Sequence, residues 1–388
     1  MSRVIGIICE YNPFHKGHKY LIDQIRQSEP DATIVAIMSG NIVQRGEFAM
    51  LDKYDRAKIA LECGINAVFE MPYPYCGSCA EIFANAGVIL ACGIGCDAIY
   101  FGIERLTLAE LESIANEMET DRYKATVDML LQEKCNSFIV AKEKALTELG
   151  FKVPKSANDM LGLEYIRAIN KRKLPLEYNA VKRTGALYND NSFGEIMSAS
   201  AIRCHFFATK KIVSVPSEVK ALYDDIVRNG RYISAEGVNR FLHSYCLVDF
   251  KGEKTVFDTS PEMIAIIKRT SQEAFDSLTF MTKLSSKAFT NARLKRAILY
   301  SLFGVEAVDF SPKFTLLLGM DIKGRALLNK IRKKCDLHII TKHADGKKMD
   351  DAREGLELIY RIDALYNTML YNQAVPSQAY KNKPIIVK

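Results

Sequence analysis

The chain has no tryptophan, eleven prolines and only six histidines in 388 residues. It also has no apolar run of about 18 residues or more, so no segment reads as a membrane-crossing helix. The apolar stretch at 4–9 is short and runs straight into Glu10, so a secretory leader is not expected. The ten cysteines follow no repeating frame and lie among apolar neighbours. That usage suits reduced thiols in a cytoplasmic protein better than a disulfide scaffold. Internal repeats and low-complexity segments are missing as well, which excludes solenoid and disordered architectures.

What is present is the composition of a globular protein, 48% hydrophobic and 26% charged. The length predicts two or three domains, each able to bury its own core. The net charge of +7 is unevenly spread. Residues 1–203 carry 23 Lys and Arg against 26 Asp and Glu, whereas residues 204–388 carry 30 against 20. A basic half joined to a near-neutral one points to a polyanionic partner, most simply a nucleic acid, although an ordinary solvated surface has the same composition.

Along the first hundred residues, apolar runs at 4–9, 33–38, 67–70 and 98–101 read as buried strands. Stretches with helical spacing at 19–27, 53–63 and 81–91 lie between them. This alternation predicts an α/β fold, a parallel Rossmann-like sheet covered by helices that binds its ligand at the carboxyl ends of the strands. Residues 107–149 read as a helical insertion. The alternation then resumes with a helix capped by Ser156, a strand at 176–181 and a helix at 198–206. Lys210, Lys211, Pro216 and the change in charge suggest a boundary, giving a domain at 1–209 and a mostly helical, basic domain at 210–388. Within the latter, a strand–helix–strand unit is expected at 314–318, 323–332 and 337–341, followed by an amphipathic helix at 350–371.

Directly after the first strand comes Asn12-Pro13-Phe14-His15-Lys16-Gly17-His18. A strand, a tight turn and a helix start form a ready phosphate site, because the free N–H groups and the positive end of the helix dipole favour anions. Gly17 allows close backbone approach, and His15 and His18 can reach phosphate oxygens. A lone histidine is usually structural, but this context makes nucleotide chemistry the first hypothesis. Positioning and electrostatics suffice for attack on the α-phosphate of ATP. A second element, Ser198-Ala199-Ser200-Ala201-Ile202-Arg203, puts two hydroxyls and a guanidinium at another helix start, where they can hold β- and γ-phosphates. Taken alone, Ser200 reads as a helix cap and Arg203 as a surface residue.

HxGH and SxSxxR together resemble the adenylyl-transferring branch of the HxGH nucleotidyltransferase superfamily. The longer series CEYNPFHKGHKYLI, MSGNIVQRGE, EMPY, EIFANAGV, FGIE, SANDMLGLEYI and SASAIR is similar to the bacterial tRNA(Met) cytidine acetate ligase family. The likeness is strong to about residue 205 and more diffuse beyond. It implies that acetate and ATP, accompanied by Mg²⁺ held mainly by phosphates and water, give acetyl-adenylate, and that the acetyl group passes to N4 of the wobble cytidine of elongator tRNA(Met). It also implies an ATP site on Ile7, Ile8, Cys9, Glu10, Tyr11, Asn12, Pro13, Phe14, His15, Lys16, Gly17, His18, Lys19, Tyr20, Gly102, Asn158 and Arg183, joined by Ser198, Ser200 and Arg203. Without the resemblance, Gly102, Asn158 and Arg183 read as a turn glycine, a helix cap and a surface residue.

Gln44, Arg45 and Glu47 follow the second strand in a polar segment suited to a substrate loop. Arg45, Lys53 and Arg56, with Arg293, Lys295, Arg296, Lys330, Arg332, Lys333 and Lys334 in the basic half, are the candidates for tRNA phosphates, contacts that make binding salt-dependent. Cys76, Cys79, Cys92 and Cys96 could be written as a zinc-binding pair of pairs. The stretch between the pairs reads as a helix leading into the sheet, so no metal site is expected. Oligomeric state, and the base that deprotonates the cytidine amine, are not assigned. Two other readings stay open: a small-molecule adenylyltransferase of the phosphopantetheine or nicotinamide mononucleotide type, and a noncatalytic RNA-binding protein regulated by ATP.

Overall fold

The computed structural model describes residues 2–132, 138–183, 197–250, 256–286, 288–331, 337–346, 349–372 and 383–387. Its strands are β1 (Val4–Cys9), β2 (Thr33–Ser39), β3 (Ile42–Val43), β4 (Glu47–Phe48), β5 (Ala67–Met71), β6 (Ala98–Ile103), β7 (Glu177–Lys182), β8 (Phe314–Met320), β9 (His338–Ile340) and β10 (Ile385–Ile386). The main sheet runs β10-β8-β5-β2-β1-β6-β7, with β9 also pairing β8, and β3 and β4 form a separate hairpin. Strands β5, β2, β1, β6 and β7 are mutually parallel. β8 enters antiparallel beside β5, and β9 and β10 run parallel to β8.

Period-two alternation with helices on both sides explains why these strands read as continuous apolar runs. On β2, Val35 and Ile37 face a core that contains Phe83, Ala84 and Ile166 from helices Ala80–Ile94 and Ala157–Arg172. Ile34, Ala36 and Met38 point the other way, into a core with Ile22 and Ile25 of helix Lys16–Ser28 and Ala57 and Ala60 of helix Lys53–Glu62. The insertion expected at 107–149 holds helices Leu108–Met118, Asp121–Gln132 and Phe138–Glu148.

After β1 the chain moves one way across the sheet to β2 and β5. It then returns to β6 on the other side of β1. The order of strands therefore reverses beside β1, and the crevice at the carboxyl ends of β1 and β6 is where such sheets bind ligands.

The strand–helix–strand unit of the basic half forms as β8, helix Ile322–Ile331 and β9, and its strands extend the first half's sheet. Thr315 donates its hydroxyl to the backbone oxygen of Glu70 at 2.7 Å, and Asn66 donates to Asp321 at 2.7 Å. Helices dominate the rest of this half among the described residues, but the sheet itself is continuous across residue 209.

Candidate active site

The HxGH turn is built by its own imidazoles. His15 is the N-cap of helix Lys16–Ser28, and its Nδ1 accepts the Gly17 N–H at 3.0 Å. His18, at the third helical position, accepts the His15 N–H on its own Nδ1 at 3.2 Å. This is a capping box with imidazoles in place of the usual hydroxyl and carboxylate. With each Nδ1 acting as acceptor, the single proton of each neutral ring sits on Nε2. The rings stack at 3.8 Å, and both line the crevice.

Burial, with Arg183 nearby, pushes His15 down to about 3. Burial, then His15 and Arg183, hold His18 well below the ordinary imidazole range. Both histidines are thus neutral hydrogen-bond donors at neutral pH. The positive charge around them comes from arginines and from the helix N-terminus.

The turn is braced from across the molecule. Tyr11 leaves β1 in the left-handed region, φ +48°, and its ring packs edge-on against Phe14 and His18. The Tyr223 hydroxyl donates to the Phe14 oxygen at 2.7 Å, and the Lys16 N–H donates to Ser214 at 3.0 Å. Arg203 Nη1 donates to the Asn12 oxygen at 2.7 Å, and its Nη2 reaches Ser200 Oγ at 3.4 Å. HxGH and SxSxxR, far apart in sequence, are therefore in direct contact. Ser198, not Ser200, is the cap of helix Ala199–Thr209, through the Ala201 N–H.

On the far wall, a Cβ at Gly102 would lie 3.1 Å from Arg183 Cγ and 3.2 Å from its Cδ. The missing side chain lets this arginine lie close across β6 toward Gly17, whose own Cβ position is 3.4 Å from Arg183 Nη2; a Cβ at Gly102 would push the arginine stem aside. Asn158 donates to Glu104, and Ser156 is the helix cap. Asp159 accepts N–H groups from Glu104 at 2.8 Å and Arg105 at 3.0 Å, which fixes the loop after β6.

Of the expected ATP-site residues, Ile7, Ile8, Cys9, Glu10, Tyr11, Asn12, His15, Gly17, His18, Tyr20, Gly102, Asn158, Arg183 and Arg203 line this crevice. Phe14 is packed beneath the turn, and Lys19 pairs with Asp23. The sequence reading did not include the apolar wall of Phe83, Tyr100, Phe101, Leu161 and Tyr165. Those residues carry the same helical and strand spacing as core positions, so nothing in the pattern separates them. It also passed over Asp159, whose partners are backbone groups.

Two expected tRNA contacts are corrected. Lys53 and Arg56 are fully buried. Lys53 Nζ lies 2.8 Å from both Glu70 and Asp363, and Arg56 spends its guanidinium on the backbone oxygens of Glu10, Ser39, Gly40 and Leu51. A cation inside the fold is retained only when satisfied in this way, and such a cation cannot meet solvent-borne phosphate. Of the remainder, Arg45 is exposed at the crevice rim. Lys295 is bound to Glu47 at 2.7 Å, Arg293 to Asp258 at 2.7 Å, and Arg296 to the Gln44 oxygen at 3.3 Å. Helix Asn291–Phe303 thus braces the β3–β4 hairpin. A Cβ at Gly46, φ +70°, would stand 2.6 Å from the Arg296 nitrogen. Lys330 is exposed near Val4 and Thr33, at the amino ends of the strands and away from the crevice. Arg332, Lys333 and Lys334 lie outside the described residues.

A profile described as HIGH Nucleotidyl Transferase matches residues 2–382. A tRNA(Met) cytidine acetate ligase of Lactobacillus gasseri is 31% identical over 401 residues, covering 99% of this chain and 100% of the relative. Among solved structures, Thermotoga maritima TmcAL bound with alpha-thio ATP superposes with a TM-score of 0.89 at 26% identity, and its apo form with 0.92 at 26% identity. Both cover 99% of each chain.

Proposed function

The chain belongs to the tRNA(Met) cytidine acetate ligases of the HIGH nucleotidyl transferase family, and from that premise we propose that it is an ATP-dependent ligase that activates acetate as acetyl-adenylate and transfers the acetyl group to N4 of the wobble cytidine of elongator tRNA(Met). The observation that carries this reading is the contact between the HxGH turn and the SxSxxR helix, with Arg203 bonded to the Asn12 oxygen and Arg183 over Gly17.

In this crevice the ATP triphosphate lies over the N-terminus of helix Lys16–Ser28. The acetate carboxylate attacks the α-phosphorus, and the Nε2–H groups of His15 and His18 donate to the oxygens where charge develops. Because the rings are neutral, they add donors without surrendering a proton to the phosphate. Arg183 and Arg203 hold the charge that leaves with pyrophosphate. Mg²⁺ brought in with ATP would be held by the phosphate oxygens and water. The described residues contain no cluster of three His, Cys, Asp or Glu that would hold it independently. The basic second half supports a large acidic acceptor, and Arg45 at the rim adds an exposed cation beside the crevice. The described helices include none long and apolar enough to span a membrane, and a cytoplasmic site of action follows from a tRNA substrate.

Incubation of the protein with ATP, labelled acetate and total bacterial tRNA tests the reading. N4-acetylcytidine in elongator tRNA(Met), detected by mass spectrometry, is the expected product. Its absence from every tRNA would leave the family assignment standing without the activity.

A further inference from the structure

Acetyl transfer to cytidine needs a proton acceptor, because the exocyclic amine must lose a proton as its nitrogen acylates. Resting on the reading above, we infer that Glu10 is that base, the group that takes the N4 proton in the second half-reaction.

Most of the other groups on the crevice cannot accept a proton. His15 and His18 have each committed Nδ1 to a backbone N–H, and their Nε2 atoms already carry a proton. Neither can accept another without breaking the helix cap. Burial raises the Tyr11 and Tyr165 phenols and the Cys9 thiol well above their ordinary values, so these groups stay protonated. Arginines cannot accept a proton at all. Among the described residues that line the crevice, two carboxylates remain, Glu10 and Glu47.

Glu47 is poorly suited. Burial works to raise it, but Lys295 at 2.7 Å and Arg203 at 3.9 Å outweigh that and hold it below the usual carboxylate range. A carboxylate held by a short ion pair is a weak base with its lone pairs engaged.

Glu10 is placed differently. It stands at the carboxyl end of β1, one residue past Cys9, in the crevice where the order of strands reverses. It is partly exposed there, so a substrate can reach it. Its Oε1 accepts the Gln44 N–H at 2.8 Å, which fixes the carboxylate against the β3–β4 hairpin, and Oε2 takes no donor among the described residues. Burial raises its affinity for a proton, partly offset by the Gln44 N–H and by Arg203, Arg45 and Arg56, the charged groups that face it from helix Ala199–Thr209, the hairpin and helix Lys53–Glu62. The exposed tip of the same hairpin carries Arg45 at the rim. Arg45, Glu10 and the histidine pair thus line one crevice.

The step balances. N4 attacks the acetyl carbonyl carbon, the N–C bond forms, and one N4 proton passes to Glu10 Oε2. The C–O bond to the adenylate then breaks, AMP departs with that electron pair, and Glu10 returns its proton to solvent. The products are N4-acetylcytidine and AMP.

The test uses the full-length enzyme and the variant Glu10→Gln, which keeps an acceptor oxygen for Gln44. Two rates are compared: acetate-dependent ATP–pyrophosphate exchange, and single-turnover acetylation of elongator tRNA(Met) between pH 5 and 9. Loss of a general base costs about 10²- to 10⁴-fold in the step it serves. Acetylation by Glu10→Gln is expected to fall at least tenfold further than exchange. The wild-type rate should decline as pH drops and Glu10 protonates, and Glu10→Gln should lose that limb while Glu10→Asp recovers part of both rate and limb. Equal losses in the two rates, or a pH limb unchanged in Glu10→Gln, would overturn the assignment. A wild-type enzyme that acetylates no tRNA would instead overturn the reading on which it rests.

Discussion

Replacing His15 by asparagine separates the two jobs of the HxGH turn. The imidazole Nδ1 caps the helix by accepting the Gly17 N–H at 3.0 Å, and the ring lines the crevice with its proton on Nε2. Asparagine places an acceptor oxygen close to the Nδ1 position and is among the best N-cap residues, but it has nothing at Nε2. Alanine removes both functions. His15→Ala should therefore be less stable than His15→Asn by about 0.5–2 kcal/mol, the ordinary value of a cap. In catalysis the two variants should fail alike, because the donor aimed at the α-phosphate is gone from each. Loss of one preorganised donor to developing charge costs roughly 10²- to 10³-fold in rate. The assay is acetate-dependent ATP–pyrophosphate exchange at saturating ATP, paired with urea unfolding of the same preparations. Exchange by His15→Asn within about threefold of wild type would refute a donor role for Nε2. Equal stability of the alanine and asparagine variants would refute the imidazole cap.

Three further outcomes follow from the same coordinates. His15, held down at about 3, and His18, held lower than normal, are neutral in the fold and protonated in the unfolded chain below about pH 6.5, so the unfolded state binds more protons and stability falls as the pH falls. His15 alone should cost about 2 kcal/mol by pH 5, and a His15→Asn/His18→Asn variant should show a flatter urea midpoint between pH 7.5 and 5 than wild type. The Asp363 carboxyl, raised to about 7, titrates with the opposite sign in both proteins and cancels from that comparison. Gly102→Ala should displace Arg183 and weaken ATP binding about tenfold by calorimetry, with the unfolding midpoint little changed. Lys53→Met leaves Glu70 and Asp363 facing one another without a cation, and should destabilise by about 3–5 kcal/mol at pH 8 and by less at pH 6, where Asp363 takes up a proton.

The parallel sheet was legible because β1, β2, β5 and β6 are mainly apolar runs between amphipathic helices, whereas β7, at the sheet's edge, mixes polar and apolar residues and carries a weaker signal. The hairpin was not. Gln44, Arg45 and Glu47 are polar and read as a loop, and the two short strands around them form by packing against helix Asn291–Phe303, a contact 250 residues away that local pattern does not encode. Lys53 and Arg56 misled for a related reason. A lysine and an arginine three apart at a helix start look like solvated charge, and only the tertiary fold supplies Asp363 and the carbonyls that bury them. The antiparallel entry of β8 was hidden too, since pairing partners leave no mark on the strand's own sequence. The HxGH turn was visible as a motif, but the tautomers that set its chemistry come from hydrogen bonds. The motif pointed to His15 and His18 as phosphate ligands, and their hydrogen bonds and burial make them neutral donors.

The central claim is that this crevice adenylates acetate, and exchange of labelled pyrophosphate into ATP, measured without tRNA, tests it most directly. The account predicts exchange that appears only when acetate is added and disappears in the His15→Asn/His18→Asn variant. Exchange that ignores acetate but starts with a phosphorylated metabolite such as nicotinamide mononucleotide or phosphopantetheine would contradict it.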